Sequence, residues 1–214
     1  GDTLYVVSFH NTKKQNPFVH LKWAQTIDGK VATLNYDSKW ITSETARIHV
    51  HQERALYQAI LVGANTINRD NPRLTIRQDG SEICPIRIIL SPNGQVDFNS
   101  NVFTDEYKER TLVIVKPGVN TPKGIRTIKC LSDQFNMNEV LVEIYKQGIY
   151  SLYVEGGAKV LNHFMLDQLF QRLSIYIAPK VLGNGLNSVQ LLDYEKMDES
   201  LIFEAGKWTQ VGQD

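Results

Sequence analysis

The segment LYVEGGAK, residues 152–159, combines an apolar stretch, a carboxylate and two glycines. Its first half is typical of a buried strand, and its second half is typical of the start of a helix. Glycines allow a ligand to approach the backbone closely, and the free N–H groups of a helix's first turn attract phosphate. Glu155 would stand at the carboxyl end of the strand, where open α/β sheets bind their ligands. The segment therefore indicates a phosphate-binding crevice that contains a carboxylate.

A plainer interpretation of the same segment stays open. Two glycines at a strand–helix junction often make only a tight turn, and Glu155 would then be a solvated charge at the rim. The pattern is not GxGxxG, so the standard dinucleotide fingerprint is absent.

A second polar cluster follows another predicted strand end at Gly63 and extends to Arg77. If it lines the same crevice, Arg54 and Arg77 would together bind a phosphate, since guanidinium groups match phosphate geometry. The alternative is that residues 70–72 form a turn and that both arginines are surface charges.

Two further side chains stand out near the amino-terminal end. Lys22 lies within an apolar strand pattern, and because a lysine is costly to bury it either faces a cleft or extends to solvent. Trp40 precedes a helix start, for which Ser43 is a good N-cap. Trp40 would flank a nicotinamide or a base, or it would simply lie in the core, as tryptophans usually do.

Composition excludes several classes of function. Lys plus Arg equal Asp plus Glu at 23 each, so no net field attracts nucleic acid or an anionic membrane. The two cysteines, Cys84 and Cys130, form no zinc-type pair, and the histidines (His10, His20, His49, His51 and His163) form no metal-ligand pattern. We expect no metal site and no membrane span, and the cytoplasm as the compartment.

Short apolar strands alternate with helical patterns over the 214 residues. Strands are predicted at residues 18–26, 30–34, 59–62, 86–90, 112–115, 151–154 and 173–178. Helices are predicted from 43 to about 58, at 137–147 and at 158–169. This alternation favours one α/β domain with a mostly parallel sheet covered on both faces. Residues 1–16 are predicted to be a linker or lead-in, and residues 17–214 to be the domain.

Taken in order, these clusters resemble the reductase domain of the bacterial riboflavin-biosynthesis deaminase-reductases. The resemblance extends over residues 17–185 and rests on five motifs in family order. They are PFVHLK with TIDGK (17–22, 26–30), SKWITS (38–43), GANT with DNPRLTIR (63–66, 70–77), VEGG (154–157) and APKVLG (178–183). It implies a dihydrofolate-reductase-like fold, with a mixed, mainly parallel sheet flanked by helices, and a homodimer.

The resemblance also implies NADPH as cofactor and a phosphorylated aminopyrimidine, 5-amino-6-(5-phosphoribosylamino)uracil, as substrate. The implied NADPH contacts are Ala24, Trp40, Thr66, Asp70, Ser91, Gly156, Gly157, Ala158, Lys159, Val160, Leu161, Asn162 and His163. The implied substrate contacts are Ser38, Arg54, Leu74, Arg77 and Glu155, with the two arginines near the phosphate.

Reduction of the ribose arm needs a proton as well as a hydride. The candidates are Lys22, Asp70 and Glu155, because titratable groups that converge on one crevice shift one another's pKa values. Glu155 is the first choice, unless it only hydrogen-bonds the pyrimidine. The zinc ligands of the amino-terminal deaminase found in larger family members are absent from this sequence. The chain is therefore either half of a bifunctional enzyme or a reductase-only protein.

The sequence is also compatible with three rival functions: a dihydrofolate reductase, a reductase that acts on the pyrimidine before deamination, and a non-catalytic NADPH-binding module. The first two share the fold. The third would have no use for Lys22, Asp70 and Glu155 together.

Overall fold

The computed structural model describes residues 15–78, 80–132, 135–190, 192–203 and 206–214. The predicted lead-in lies outside these residues except for its last two positions. The strands are β1 (Phe18–Thr26), β2 (Lys30–Ala32), β3 (Ala59–Gly63), β4 (Ile76–Gln78), β5 (Ser81–Ile83), β6 (Ile86–Leu90), β7 (Thr111–Val115), β8 (Arg126–Lys129), β9 (Ser151–Val154), β10 (Arg172–Ala178) and β11 (Leu186–Asn187). The α-helices are α1 (Glu44–Arg54), α2 (Ala64–Asp70), α3 (Asn101–Thr104), α4 (Met137–Lys146) and α5 (Ala158–Leu166).

Seven strands form the central sheet in the order β10-β1-β9-β3-β6-β7-β8, and every pairing within it is parallel. Antiparallel pairing occurs in two small ribbons, β2 with β11 and β4 with β5. The predicted α/β class with a mainly parallel sheet is confirmed. Since the strands run in one direction, the carboxyl ends of β1, β9, β3 and β6 lie side by side at one edge of the sheet.

Side chains of the central strands alternate between two apolar layers, as the two-residue period of a strand requires. On one face Leu61 and Val154 pack with residues of α4 and α5, such as Ile144 and Phe164. On the other face Ile60 packs with α2 and α3. The α1 helix covers the same face near β1, β9 and β10. Burial on both faces explains why these strands are apolar throughout.

Helix α1 is held at both ends. The Ser43 hydroxyl accepts the backbone N–H of Ala46 at 3.3 Å, which confirms the predicted N-cap. The Asp214 carboxylate in turn accepts the Ser43 backbone N–H at 2.8 Å, so the carboxyl-terminal segment fastens the helix start. The helix ends at Arg54, not near Gln58, because the Gln58 backbone N–H donates to the Ser151 hydroxyl at 3.0 Å.

Helix α5 also ends earlier than predicted, at Leu166 and not at residue 169. The backbone N–H of Leu169 donates to the Phe164 carbonyl at 2.9 Å, and Gln168 adopts φ 50°. These contacts form a left-handed C-terminal cap, which closes a helix without extending it.

Candidate active site

One large cavity opens at the carboxyl ends of the central strands, with a volume of about 1010 Å³. It brings together the three clusters that the sequence singled out, from β1 and the loop after β2, from β3 to β4, and from β9 to α5. Of the site residues predicted from the sequence, all except Asn162 line it. They are Lys22, Ala24, Ser38, Trp40, Arg54, Thr66, Asp70, Leu74, Arg77, Ser91, Glu155, Gly156, Gly157, Ala158, Lys159, Val160, Leu161 and His163.

Asn162 lies beneath the cavity and has contacts of its own. Its side chain is buried, donates to the Ala158 carbonyl at 2.6 Å and accepts the backbone N–H of Gln190 at 2.7 Å. It thereby holds the segment after β11 against α5.

An ion pair between Arg54 and Glu155 lies at the base of the cavity. Nη2 of Arg54 donates to Oε2 of Glu155 at 2.9 Å, and Nε donates to Oε1. The remaining guanidinium nitrogen, Nη1, donates to the Thr75 carbonyl at 2.9 Å. The pair therefore connects α1, the end of β9 and the segment before β4, with both side chains at most 15% exposed.

The same pair sets the charge of Glu155. Burial alone would raise the pKa of this carboxyl, but the Arg54 guanidinium and its hydrogen bonds outweigh burial and bring the pKa to about 2. Glu155 is thus a carboxylate at neutral pH. All three guanidinium nitrogens of Arg54 are bonded within the protein, whereas the side chain of Arg77 on β4 is exposed at the cavity.

Lys22 projects from β1 toward the α1 side of the sheet, because it alternates with Leu21 and Trp23, which pack on the opposite face. It is half-buried, with Nζ 5.4 Å from the ring centroid of Tyr176. Burial lowers the pKa of its ammonium, and the nearby Glu155 carboxylate opposes that shift only in part. The cavity therefore contains an ammonium that gives up its proton more easily than a surface lysine does.

Behind Lys22 lies a buried polar network centred on Glu53. Its carboxylate accepts hydrogen bonds from the hydroxyls of Tyr153 at 2.7 Å, Tyr176 at 2.9 Å and Ser174 at 3.1 Å. His20 bonds Ser174 at 2.8 Å, and burial lowers its pKa to about 4. The network locks α1 onto β1, β9 and β10, and it fixes Arg54 next to Glu53 in the chain.

Aromatic and charged side chains form the rim. The Arg47 guanidinium lies 4.3 Å from the Trp40 ring centroid. Trp40 is 63% exposed, so the core interpretation of this residue is wrong. Asp70 pairs with Lys39 at 3.9 Å at an exposed position, where such pairs contribute little energy.

The glycines at the strand–helix junction differ in their surroundings. A Cβ on Gly156 would stand 2.6 Å from Cβ of Val160, and one on Gly63 would stand 2.9 Å from Cγ2 of the same side chain. Close packing of α5 on the sheet therefore explains these two positions. Gly157 is different, since a Cβ there would meet only the Thr66 hydroxyl at 3.6 Å, an ordinary contact.

Polar residues at the amino terminus of α5 and at the end of β6 line the cavity. Helix α5 begins after Gly157, which has no side chain to cap its first N–H groups. Ser91, directly after β6, is 1% exposed, and its hydroxyl has no hydrogen-bond partner among the described residues. A buried hydroxyl without a partner is costly, so a ligand that reaches it would gain a hydrogen bond.

Sequence reasoning missed several residues of this cavity. Arg47 and His51 were not among the predicted site residues, although Arg47, His51 and Arg54 follow the spacing of one helix face. Glu53 has the sequence signature of a surface charge. Only the tertiary contacts of Tyr153 and Tyr176 show that it is buried.

Across the described part of the chain, no three His, Cys, Asp or Glu side chains come close enough to hold a metal ion. None of the helices described is long and apolar enough to cross a membrane.

The family model of the RibD C-terminal domain matches residues 17–214. The chain belongs to this family. Among curated relatives, the riboflavin biosynthesis protein RibD of Aquifex aeolicus is 37% identical over 206 residues, which is 94% of this chain and 57% of the relative. The RibD of Bacillus amyloliquefaciens is 37% identical over 223 residues, 100% of this chain and 60% of the relative.

Solved structures agree with this assignment. A Thermotoga maritima protein, described as a diaminohydroxyphosphoribosylaminopyrimidine deaminase/5-amino-6-(5-phosphoribosylamino)uracil reductase, is 31% identical with a TM-score of 0.80, covering 96% of this chain and 57% of that one. Acinetobacter baumannii RibD is 25% identical with a TM-score of 0.85, and the match covers 99% of this chain and 60% of that one. This RibD-family chain thus spans somewhat more than half the length of these relatives.

The Arg54–Glu155 pair predicts a pH-dependent contribution to stability. The folded-state pKa of Glu155, about 2, lies below the ordinary value of about 4.3, and roughly two units correspond to about 3 kcal/mol. A lowered carboxyl pKa stabilises the fold above the unfolded-state value, and this stabilisation is lost as pH falls through the folded-state value. The free energy of unfolding of wild type should therefore exceed that of Glu155→Gln by about 3 kcal/mol at pH 6. This difference should shrink as the pH falls below about 4.3.

Urea unfolding at pH 6, 5, 4 and 3 measures this difference. Glu109→Gln, at an exposed position, serves as the control and should change the free energy of unfolding by less than about 0.5 kcal/mol. A Glu155→Gln difference that stays constant from pH 6 to pH 3 would contradict the assigned ion pair.

Proposed function

We propose that this RibD-family chain reduces the ribosyl arm of 5-amino-6-(5-phosphoribosylamino)uracil to a ribityl arm, with NADPH as hydride donor, in riboflavin biosynthesis. Family membership and the description of the Thermotoga maritima protein support the reaction. The observation that carries the proposal is that one cavity joins Lys22 and Glu155 to the start of α5, which no side chain caps. Such a cavity has room for a dinucleotide and a second ligand together.

The residues present fit a dinucleotide. Gly157 leaves space over the first N–H groups of α5, where a pyrophosphate binds favourably. Thr66 and the Ser91 hydroxyl, which has no partner in the described part of the chain, provide further polar contacts, and the exposed Trp40 ring provides a stacking surface. We assign to NADPH the remaining cavity-lining contacts from the sequence as well: Ala24, Asp70, residues 156–161 and His163.

The substrate occupies the side of the cavity formed by Ser38, Leu74, Arg77 and Glu155. Arg77 binds the phosphate, because its guanidinium is exposed to the cavity. Arg54 supports the site indirectly by orienting Glu155, since its nitrogens donate to the Glu155 carboxylate and the Thr75 carbonyl. This revises the sequence-based assignment of both arginines to the phosphate. Glu155, held as an anion, accepts hydrogen bonds from the pyrimidine.

Lys22 supplies the proton. Glu155 is a poor donor with a pKa of about 2, and Asp70 lies at the exposed rim. When bound, NADPH supplies a hydride from its nicotinamide C4. As the bond between C1′ and the ring oxygen of the ribose breaks, the Lys22 ammonium protonates that oxygen, and C1′ becomes part of an iminium. Hydride addition to C1′ then gives the ribitylamine, so one hydride and one proton are consumed.

We further propose a homodimer, an amino-terminal deaminase domain in the full-length protein, and a cytoplasmic location. The coverage of 57–60% of the RibD relatives supports the additional domain.

The reaction is tested by following the loss of NADPH absorbance in parallel assays, one with the deaminated pyrimidine and one with the non-deaminated pyrimidine. We expect oxidation with the deaminated substrate at least roughly tenfold faster. Faster oxidation with the non-deaminated pyrimidine or with dihydrofolate would reassign the substrate. If NADPH binds tightly but is not oxidised in the presence of either pyrimidine or of dihydrofolate, the chain is instead a binding module.

Lys22→Met should lower kcat roughly 100- to 10,000-fold, the range that general acids contribute. Because an acid must be protonated to act, wild-type kcat/KM should fall at high pH, with its midpoint below the ordinary lysine pKa of about 10.4. Lys22→Arg is the matched control, since it retains the charge but does not donate a proton at these pH values. Near-wild-type kcat in Lys22→Arg would show that the charge alone matters.

The two glycines predict opposite outcomes. Gly157→Ala should leave the urea midpoint nearly unchanged but raise the Kd for NADPH roughly 10- to 100-fold, as expected for lost contacts to a charged group. Gly156→Ala should destabilise the fold by about 1–3 kcal/mol through the clash with Val160, and Val160→Ala should restore it. Fluorescence titration measures the Kd for NADPH of each variant, and urea unfolding measures its stability. An unchanged Kd in Gly157→Ala would place the pyrophosphate elsewhere.

A further inference from the structure

His51 lies on the cavity-facing side of α1. It follows Arg47 by four residues and precedes Arg54 by three, and residues at these spacings share one face of a helix. All three line the cavity. The reaction proposed above gives His51 no role.

One ring nitrogen of His51 is already committed. Nδ1 accepts the backbone N–H of Arg77 at 3.2 Å, so it has no proton of its own. A neutral imidazole then carries its proton on Nε2. Burial lowers the pKa of His51 to about 4, and repulsion by Arg54 and Arg77 adds to the effect, so the ring is neutral at physiological pH.

The second ring nitrogen, Nε2, makes no hydrogen bond to a side chain among the residues that the structure describes. Among the same residues, the Thr75 carbonyl is the one backbone acceptor that acts on the ring, and its hydrogen bond is the smallest of the effects on the pKa of His51. That carbonyl already accepts Nη1 of Arg54 at 2.9 Å, so a phosphate oxygen would compete for the ring N–H with an acceptor that is shared. His51 therefore presents a neutral N–H donor in the cavity, next to the strand that carries Arg77.

We propose that His51 is a substrate-binding residue whose Nε2–H donates to a phosphate oxygen of the phosphorylated ribose arm, beside the guanidinium of Arg77. The proposal deepens the function given above and rests on it. A backbone hydrogen bond fixes the ring orientation before the ligand arrives, which spares the ordering cost that a mobile side chain would add. A phosphate between His51 and Arg77 would also offset the positive charges of the two arginines that flank the histidine.

Two substitutions separate this role from a purely structural one. In His51→Asn the side-chain oxygen takes the place of Nδ1 and still accepts the Arg77 N–H, but the donor at the Nε2 position is lost. In His51→Gln the amide NH₂ reaches the Nε2 position, but the bond to Arg77 is lost. NADPH oxidation gives kcat and KM for the substrate and for its dephosphorylated form, and urea unfolding reports on the fold.

We expect His51→Asn to raise the KM for phosphorylated substrate roughly tenfold. Its KM for the dephosphorylated form and its kcat should stay within about twofold, and His51→Gln should retain most of the preference for phosphate. The proposal is overturned if His51→Asn keeps the wild-type ratio of the two KM values. It is also overturned if His51→Gln alone loses that ratio, since the ring would then only hold the strand of Arg77.

Inorganic phosphate tests the contact without catalysis. Titration into ¹⁵N-labelled wild type should shift the Nε2–H resonance of His51, which is assigned by its loss in His51→Asn. A resonance that stays in place while the Arg77 side-chain signals saturate would overturn the proposal. If wild type oxidises no NADPH with either pyrimidine and this resonance still shifts, the proposed reaction is wrong but the phosphate contact stands.

Discussion

The buried ion pair between Arg54 and Glu155 joins three parts of the chain that are far apart in sequence. Arg54 ends α1, Glu155 follows β9, and the Thr75 carbonyl, bonded by the same guanidinium, precedes β4. Removing one partner would leave an uncompensated charge in a buried setting, which is far more costly than the pair itself is stabilising. The geometry of the cavity base therefore depends on all three elements being in place together.

The pair also affects the pKa values of the neighbouring side chains Lys22 and His51. Because Arg54 keeps Glu155 ionised, a fixed negative charge stands close to Lys22 and partly opposes the loss of its proton. Burial lowers the pKa of His51, and the positive charge of Arg54 adds to that effect, so the ring is neutral. Burial and this salt bridge together leave a carboxylate acceptor, an ammonium with a lowered pKa and a neutral imidazole donor around one cavity. Environment, and not residue type, makes these three side chains differ.

Much of the fold was predictable because it depends on local patterns. The strands β1, β6 and β9 match their predicted bounds, since burial on both faces makes parallel strands continuously apolar. Helix α2 was missed because ANTINRD has a single buried residue, Ile67, and so shows no apolar stripe. The β4–β5 hairpin was missed because its short strands are mostly exposed.

The residues that line the cavity were predictable from the sequence, but the contacts between them were not. Strand ends and glycines located the cavity, because the carboxyl ends of parallel strands meet at one edge. The sequence does not show that Arg54 contacts Glu155 at a separation of 101 residues. That contact depends on the strand order, which places β9 between β1 and β3, and on the Glu53 network that orients α1. Residue type and the family resemblance therefore indicated a ligand contact for Arg54, and only the tertiary structure shows its hydrogen bonds to Glu155.

The packing and the ligand-binding interpretations of the glycine-rich segment are linked. Val160 fits against the sheet only because residues 63 and 156 lack a Cβ. That close packing draws the first turn of α5 down to the strand ends, next to Glu155. A bulkier residue at either position would push the helix outward and move its free N–H groups away from the cavity. Tight packing at Gly63 and Gly156 is therefore the physical condition for an anion to reach the helix start over Gly157, where the backbone is open.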